Sequence, residues 1–448
     1  MVVTPIVDES LGNSSYVVDL GDGGGMVVDP ERDPRPYLRE LARTHLRPRF
    51  VVETHLHADF VSGSRELIAE GATLLAPAGS QAAFPHRPLN DREQVDLGGL
   101  TMAVIATPGH TPEHLSYLLS DGSDQVGLFS GGTLMAGGVA RTDLLSPDQT
   151  EPLARAAYRS IRQRLFTLPD QLLVFPTHGA GSFCSVGGGT ERTTTIGAEK
   201  TSNPLLVGEI DEDNFVQRLL AGYGSYPPYF LELRPLNRRG PRVFGTSPPL
   251  LPRLSVVDLE AAMADGVDVI DVRAMEAFAA AHVPGSVSNP WRSSFSTWLG
   301  WLLPLDRRLV FVTDKTVDEQ DLIWSALTVG FENLTGLLAG GMPAWIEAGR
   351  PVSQIEITKD PAGVRHRSIL DVRQASEYET GHHPDAVHVE LGSIVDSTTG
   401  LPPGDLLLHC GHGERAMTAA SLLARTGRQD VVVFGGGHDQ LARPVARS

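Results

Sequence analysis

The sequence predicts an α/β fold, and two observations carry that prediction. Strand-like apolar runs alternate with helical segments along the chain, and the C-terminal portion repeats one such order. The length, 448 residues, suits roughly three domains of about 150 residues each. With 41% hydrophobic and 20% charged residues, the chain can bury sizeable cores as a soluble globular protein does.

Taken in order, Tyr16-Val17-Val18-Asp19-Leu20 is expected as a strand and Asp22 to Gly25 as a turn. Met26-Val27-Val28 is a second strand, running into Asp29-Pro30. A helix is expected over Pro36 to Thr44, and a further strand at Phe50-Val51-Val52. Gly240 to Arg253 is rich in Gly, Pro and Ser, with few large apolar residues before Leu250, and is expected to be a linker. Beyond it, Val267-Asp268-Val269-Ile270-Asp271-Val272-Arg273 leads into a helical Ala274 to Ala281 and the turn His282-Val283-Pro284-Gly285.

About a hundred residues later the order recurs. His366-Arg367-Ser368-Ile369-Leu370-Asp371-Val372-Arg373 leads into Ser376 to Thr380 and then Gly381-His382-His383-Pro384. Each half continues to another apolar strand, Leu309-Val310-Phe311-Val312 in the first and Leu406-Leu407-Leu408 in the second. Strands and helices alternating at this spacing predict parallel sheets, whose ligand crevices lie at the carboxyl ends of the strands. The expected domains are 1–245, 250–355 and 356–448. His282 and His382 are expected as turn or surface histidines.

A net charge of -17 opposes phosphate backbones and anionic membranes, so neither a nucleic acid nor a membrane is an expected partner. Only Cys184 and Cys410 occur, too few for a disulfide framework and compatible with a reducing compartment. Met1 to Ser15 carries Asp8 and Glu9 and lacks a basic region and an apolar core segment, so no secretory signal is expected. Apolar stretches are broken well short of membrane-spanning length. The expected location is cytoplasmic, and a homo-oligomer is compatible with this class.

Two sets of residues point to chemistry. In Leu408-His409-Cys410-Gly411-His412-Gly413-Glu414-Arg415, an apolar strand delivers a thiol into a tight glycine loop. Gly411 and Gly413 let backbone N–H groups face the sulfur, and Arg415 adds positive potential, both favouring a nucleophilic thiolate. In Thr54-His55-Leu56-His57-Ala58-Asp59, residues two apart on an extended backbone face the same way, so His55 and His57 can converge on one metal ion, with Asp59 close behind. Thr107-Pro108-Gly109-His110-Thr111 and Pro176-Thr177-His178-Gly179 each set another histidine beyond a strand-like run. Imidazoles at several loop tips are what a divalent metal requires.

Asp371-Val372-Arg373, the His383-Pro384 turn and Cys410-x-x-Gly413-x-Arg415 resemble a rhodanese, a sulfurtransferase whose cysteine carries a persulfide. A six-residue loop from Cys410 to Arg415 suits a sulfur atom in that family, whereas related arsenate reductases and phosphatases use a longer loop for an oxyanion. Glu414 would oppose anionic donors such as thiosulfate if it pointed inward. In the first repeat, Thr313-Asp314-Lys315-Thr316 follows the strand, and Asp314 is expected where the cysteine would be. The resemblance implies a silent rhodanese retained for packing or orientation, closed by Gly340-Gly341-Met342-Pro343-Ala344-Trp345.

The ordered histidines resemble the metallo-β-lactamase superfamily, and Gly179 to Cys184 with Thr195 to Lys200 resembles its persulfide dioxygenase branch fused to rhodanese domains. The resemblance implies an αββα sandwich that oxidises glutathione persulfide, or a similar low-molecular-weight persulfide, to sulfite with O2 at one iron. That iron is expected on the histidines matching His55 and His110 and on an aspartate of a Phe-Thr-Gly-Asp motif. This chain has Phe129-Ser130-Gly131-Gly132, so Gly132 stands where the aspartate belongs, and Phe60 replaces a histidine of the superfamily's second metal position.

Three outcomes stay open: a zinc site of His55, His57 and His110; a weaker iron site completed by Asp59 or water; or a scaffold that binds no metal tightly. Arg141 and Asp143 match a Gly-Arg-x-Asp-Leu run near the family's active site, with a substrate role or a structural ion pair as alternatives. Cys184 either accepts sulfur from substrate or is a small loop residue. The expected function is persulfide or sulfane-sulfur processing through Cys410, with a low-molecular-weight thiol, persulfide or thiosulfate as partner and iron or zinc as cofactor. The alternatives are a zinc thioester hydrolase of hydroxyacylglutathione type and a non-catalytic sulfur carrier or sensor.

Overall fold

The strands that open the chain are short apolar runs separated by glycine. Asn13–Asp19 and Gly24–Val28 pair antiparallel across the turn at Asp22, and Gly24–Val28 pairs in parallel with Arg47–Val52. In the computed structural model of the chain, which describes residues 2–360 and 367–442, these strands belong to a six-stranded sheet. Met1, His366 and the last residues of the third expected domain lie outside the described residues. The sheet order is Val3–Asp8, Asn13–Asp19, Gly24–Val28, Arg47–Val52, Thr73–Pro77, Arg87–Leu89.

A second six-stranded sheet runs Thr194–Thr195, Leu173–Pro176, Asp124–Gly131, Leu115–Asp121, Thr101–Ala106, Gln94–Asp96. Tyr16, Val28, Val52 and Leu75 of the first sheet share one buried cluster with Met102, Val104, Tyr117 and Phe129 of the second. The sheets therefore pack face to face on apolar side chains. Tyr37 and Leu41 of helix Arg35–Arg43 and Leu67 of helix Ser64–Ala69 cover the outer face of the first sheet. Ala154 and Ala157 of helix Pro147–Ser160, with Phe215 and Leu219 of helix Glu212–Ala221, cover the second. The layers are αββα.

The chain divides into two compact units, Met1–Pro248 with Trp324–Gly330, and Pro249–Ile323 with Phe331–Ser448. The second unit holds two five-stranded sheets, all parallel and identical in order. The first is Arg253–Leu254, Leu334–Leu338, Leu309–Val312, Asp268–Asp271, Val287–Ser288; the second is Glu356–Thr358, Val431–Phe434, Leu406–His409, Ser368–Asp371, Ala386–His388. The repeated Asp-Val-Arg braces both. Arg273 and Arg373 each bind the aspartate two residues earlier at 2.6 Å and donate to a carbonyl eight residues on, Ala281 and Gly381. The turn histidines also repeat, His282 stacking on Phe278 and His382 on Tyr378, and His282 is buried rather than at the surface.

Strand register corrects one expectation. Asp271 pairs with Val312 and Asp371 with His409, so the residue matching Cys410 in the first repeat is Thr313 rather than Asp314. Asp314 is exposed and accepts from the Thr316 amide and hydroxyl. Among the described residues no helix is long and apolar enough to cross a membrane.

Candidate functional site

Four strand ends of the first unit deliver the histidines and their supports. Past Arg47–Val52 the chain bends instead of staying extended, yet the His55 and His57 rings stay together, with centroids 4.2 Å apart. Asp29, at the end of Gly24–Val28, accepts from the Thr54 amide and hydroxyl, both at 2.7 Å, and from the Thr177 hydroxyl. It thereby ties the His55 loop to the His178 loop. Burial alone would raise the Asp29 carboxyl, but His57 and these donors hold it below its ordinary value.

Three imidazoles are anchored in the same way. The Thr54 hydroxyl hydrogen goes to Asp29, so at 2.8 Å His55 Nδ1–H donates to Thr54 Oγ1. His110 Nδ1–H donates to the Arg141 carbonyl at 2.6 Å, and His178 Nδ1–H to Asn13 Oδ1 at 2.9 Å, with Asp59 Oδ2 at 3.3 Å. Each ring is left with an Nε2 lone pair. His110 Nε2 is buried without a hydrogen-bond partner, and the Nε2 atoms of His55 and His178 face one another at 3.4 Å.

Two lone pairs at that distance repel unless a cation lies between them. Two nitrogens of a tetrahedral site with bonds of about 2.0–2.1 Å are about 3.3 Å apart. His55, His110 and His178 bring ligand atoms within 4.8 Å of one another, and the set fits a divalent metal. Burial and the repulsion between charged rings push His55 and His110 well below the ordinary imidazole value, so both are neutral donors at pH 7. His178 joins His55 and His110 in this set, while His57 stands with His55 and Asp29 in another group of the same kind.

His57 turns its Nε2 to Glu53 at 3.0 Å and Asp29 at 3.3 Å, and Phe60 stacks on its ring. Its Nδ1 and Asp59 Oδ1 are buried without partners, and His57, Asp59 and His178 make a second group that shares His178. All five expected metal residues thus gather, in three overlapping triplets, the third being Asp29, His55 and His57. Gly132 adds no ligand. Its amide donates to His114 Nε2 at 3.1 Å, and His114 stacks on His55 with ring centroids 5.0 Å apart. Sequence reasoning missed Asp29, Asn13 and His114; the signal available for His114 was its spacing of four from His110.

The two candidate substrate residues, Arg141 and Cys184, are both buried. Arg141 is buried, all three guanidinium nitrogens bond Asp143, Phe183 O or Gly224 O, and Tyr226 stacks on it. Its structural alternative is the one the geometry supports, and its own carbonyl orients His110. Cys184 is fully buried, and burial pushes its thiol well up.

In the second unit, Cys410 follows strand Leu406–His409 and accepts from the Gly413 amide at 3.1 Å. Gly413 has φ of 105°, and a Cβ there would meet Met275 Sδ at 2.8 Å, so glycine is required. A Cβ at Gly411 would meet only Arg415 Nη2, at 3.4 Å, and among the described residues its amide does not bond the sulfur. Of the two glycines expected in the cradle, Gly413 is the one whose amide bonds the sulfur. Arg415 acts on the Cys410 sulfur and binds Glu377 twice, at 2.5 and 2.8 Å. Burial would raise Glu377, but Arg415 holds it below the ordinary carboxylate value.

Residues 9–178 match the family model described as Metallo-beta-lactamase superfamily, and residues 255–348 and 356–443 each match Rhodanese-like domain. The chain therefore carries a metallo-β-lactamase superfamily domain at its N-terminus and two rhodanese-like domains after it. It is similar to the mitochondrial persulfide dioxygenase of Homo sapiens, 28% identical over 191 residues, which are 42% of this chain and 68% of that protein. It is also similar to a hydroxyacylglutathione hydrolase of Methylobacillus flagellatus, 37% identical over 159 residues, 35% of this chain and 58% of the hydrolase. A solved structure of a metallo-β-lactamase from Staphylococcus aureus superposes with a TM-score of 0.65 at 26% identity, covering 76% of this chain and 98% of that one.

Proposed function

We propose that this chain is a sulfurtransferase that carries sulfane sulfur on Cys410, joined to a metal-dependent domain acting on low-molecular-weight persulfides or thioesters. The observation that carries the first part is the Cys410 sulfur held by the Gly413 amide beside Arg415. The Cys410 thiolate attacks the outer sulfur of a donor R–S–SH. A new Cys410–S bond forms as the donor's S–S bond breaks, and R–S⁻ leaves to take a proton from water. An acceptor thiolate then attacks the same outer sulfur and returns Cys410 as thiolate. The Gly413 amide and Arg415 stabilise the anionic sulfur at each stage.

In the N-terminal domain, His55, His110 and His178 would hold one divalent metal, which supplies a Lewis-acid centre when bound. Thr54, the Arg141 carbonyl and Asn13 keep the three Nε2 lone pairs inward. A hydrolase reading of hydroxyacylglutathione type has its own support, because an all-imidazole donor set with no carboxylate at Gly132 suits zinc better than an iron that activates O2. The similarity to both a persulfide dioxygenase and a hydroxyacylglutathione hydrolase supports the coarser reading that both share.

Cys410→Ser should abolish sulfur transfer from thiosulfate and from a persulfide, since an alcohol is a far weaker nucleophile at neutral pH. Thr313→Ala should leave transfer intact. Full transfer by the Cys410→Ser protein would overturn the assignment.

A further inference from the structure

The charges around Cys410 come from both rhodanese-like repeats. Arg415 and Glu414 begin helix Glu414–Arg425, whereas Arg292 follows strand Val287–Ser288 of the first repeat. The backbone leading to Arg292 is pinned: the Asn289 amide donates to the Asp271 carbonyl at 3.0 Å and the Trp291 amide to the Val272 carbonyl at 2.8 Å. The helix is docked on the same repeat, Arg425 binding Asp268 at 2.6 Å and Ser421 Oγ accepting from the Ser288 amide at 3.1 Å. The fold thus sets where Arg292 stands relative to the cysteine loop.

Arg415 is paired with Glu377 through two hydrogen bonds, but Arg292 and Glu414 are not matched in this way. Arg292 Nη1 lies 3.7 Å from Glu414 Oε2, too far for a hydrogen bond, and Arg292 Nε is buried without a partner among the described residues. Burial lowers Arg292 from its ordinary value, while Glu414 and Cys410 act in the opposite direction. A partly desolvated guanidinium with a free N–H gains most from an added anion. Next to it stands a carboxylate with acceptor capacity to spare.

A guanidinium and a carboxylate held this way match the two ends of an α-amino acid, whose carboxylate would go to Arg292 and whose ammonium group would go to Glu414. We propose that Arg292 and Glu414 recognise a zwitterionic, amino-acid-type persulfide as the donor to Cys410, so that the repeat without a cysteine supplies half of the donor site. This rests on the reading of Cys410 as the sulfur carrier. Thiosulfate, a small dianion without an ammonium group, gains from Arg292 and is repelled by Glu414.

The test measures sulfur transfer to cyanide by the full chain, with cysteine persulfide and with thiosulfate as donors. Glu414→Gln should lower kcat/KM for cysteine persulfide about tenfold, the loss expected when a charged hydrogen bond is removed, and should raise it for thiosulfate. Arg292→Gln should raise KM for both donors, with Arg292→Lys recovering part of the loss. Opposite signs for the two donors are a result that a structural role would not produce. The proposal is overturned if Glu414→Gln shifts both donors in one direction or neither, or if Arg292→Gln leaves both KM values unchanged. Cys410→Ser separates the two levels: transfer surviving in that variant removes the underlying reading, whatever Arg292 does.

Discussion

A Cβ on Gly132 would lie 2.8 Å from His110 Cδ2 and 3.0 Å from Ala140 Cβ, while His114 already occupies the Gly132 amide. Installing the aspartate that the resemblance leads one to expect there would push on a ring that Arg141 holds in place. The protein purified without added metal is therefore expected to contain zinc rather than iron. Gly132→Asp should lower its metal content instead of building an iron site. Elemental analysis of both proteins checks this, and one iron per unmodified chain, or a gain of iron in the variant, would contradict it. At the same scale, Thr313 shows how a register error of one residue enters a sequence reading. The Thr313-Asp314 pair follows the strand without a glycine to mark the loop, so only the pairing of Asp271 with Val312 identifies the counterpart of Cys410.

At the scale of elements, each repeat serves as a reference for the other. The pairing of Leu254 with Leu338 and of Thr358 with Phe434 makes Met342 the counterpart of His438, as Val312 is of His409. In the first repeat Val312 and Met342 pack in an apolar cluster. In the second, His409 is buried with neither ring nitrogen hydrogen bonded among the described residues, stacked 5.7 Å from His438 and 3.4 Å from Asp371, which Arg373 also binds. Burial brings His409 down to about 4 from 6.5, despite Asp371. The unfolded chain takes up a proton below 6.5 that the folded chain refuses until about 4, so stability falls as pH drops through that window. The loss is on the order of 3 kcal/mol. His409→Val should flatten this acid limb, read as the urea midpoint at pH 7 and pH 4.5, although His438 retains a shift in the same direction. An unchanged slope would contradict the assignment.

Over the whole molecule, what was legible in the sequence was local. Alternating strands and helices, the duplicated Asp-Val-Arg and the Cys410 loop each lie within a few residues, where backbone period and turn chemistry act. The histidines could be found because each follows a strand. What escaped notice depends on contacts between residues far apart in the chain: Asn13 bonds His178, Asp29 bonds Thr177, and Arg292 faces Glu414. Local spacing also suggested His57 as a neighbour of His55, and their rings lie 4.2 Å apart, while the tie of His57 Nε2 to Glu53 and Asp29 was not legible.

Cys410 remains the center of the account, because its loop is where a nucleophile, a backbone donor and a cation meet. The most direct measurement is the mass of the full chain after incubation with a persulfide donor and removal of excess reagent, followed by peptide mapping. The account predicts a gain of one sulfur atom on the peptide containing Cys410, none on the peptide containing Cys184, and loss of that sulfur on addition of an acceptor thiol. A chain that gains no sulfur, or gains it at Cys184, would contradict it.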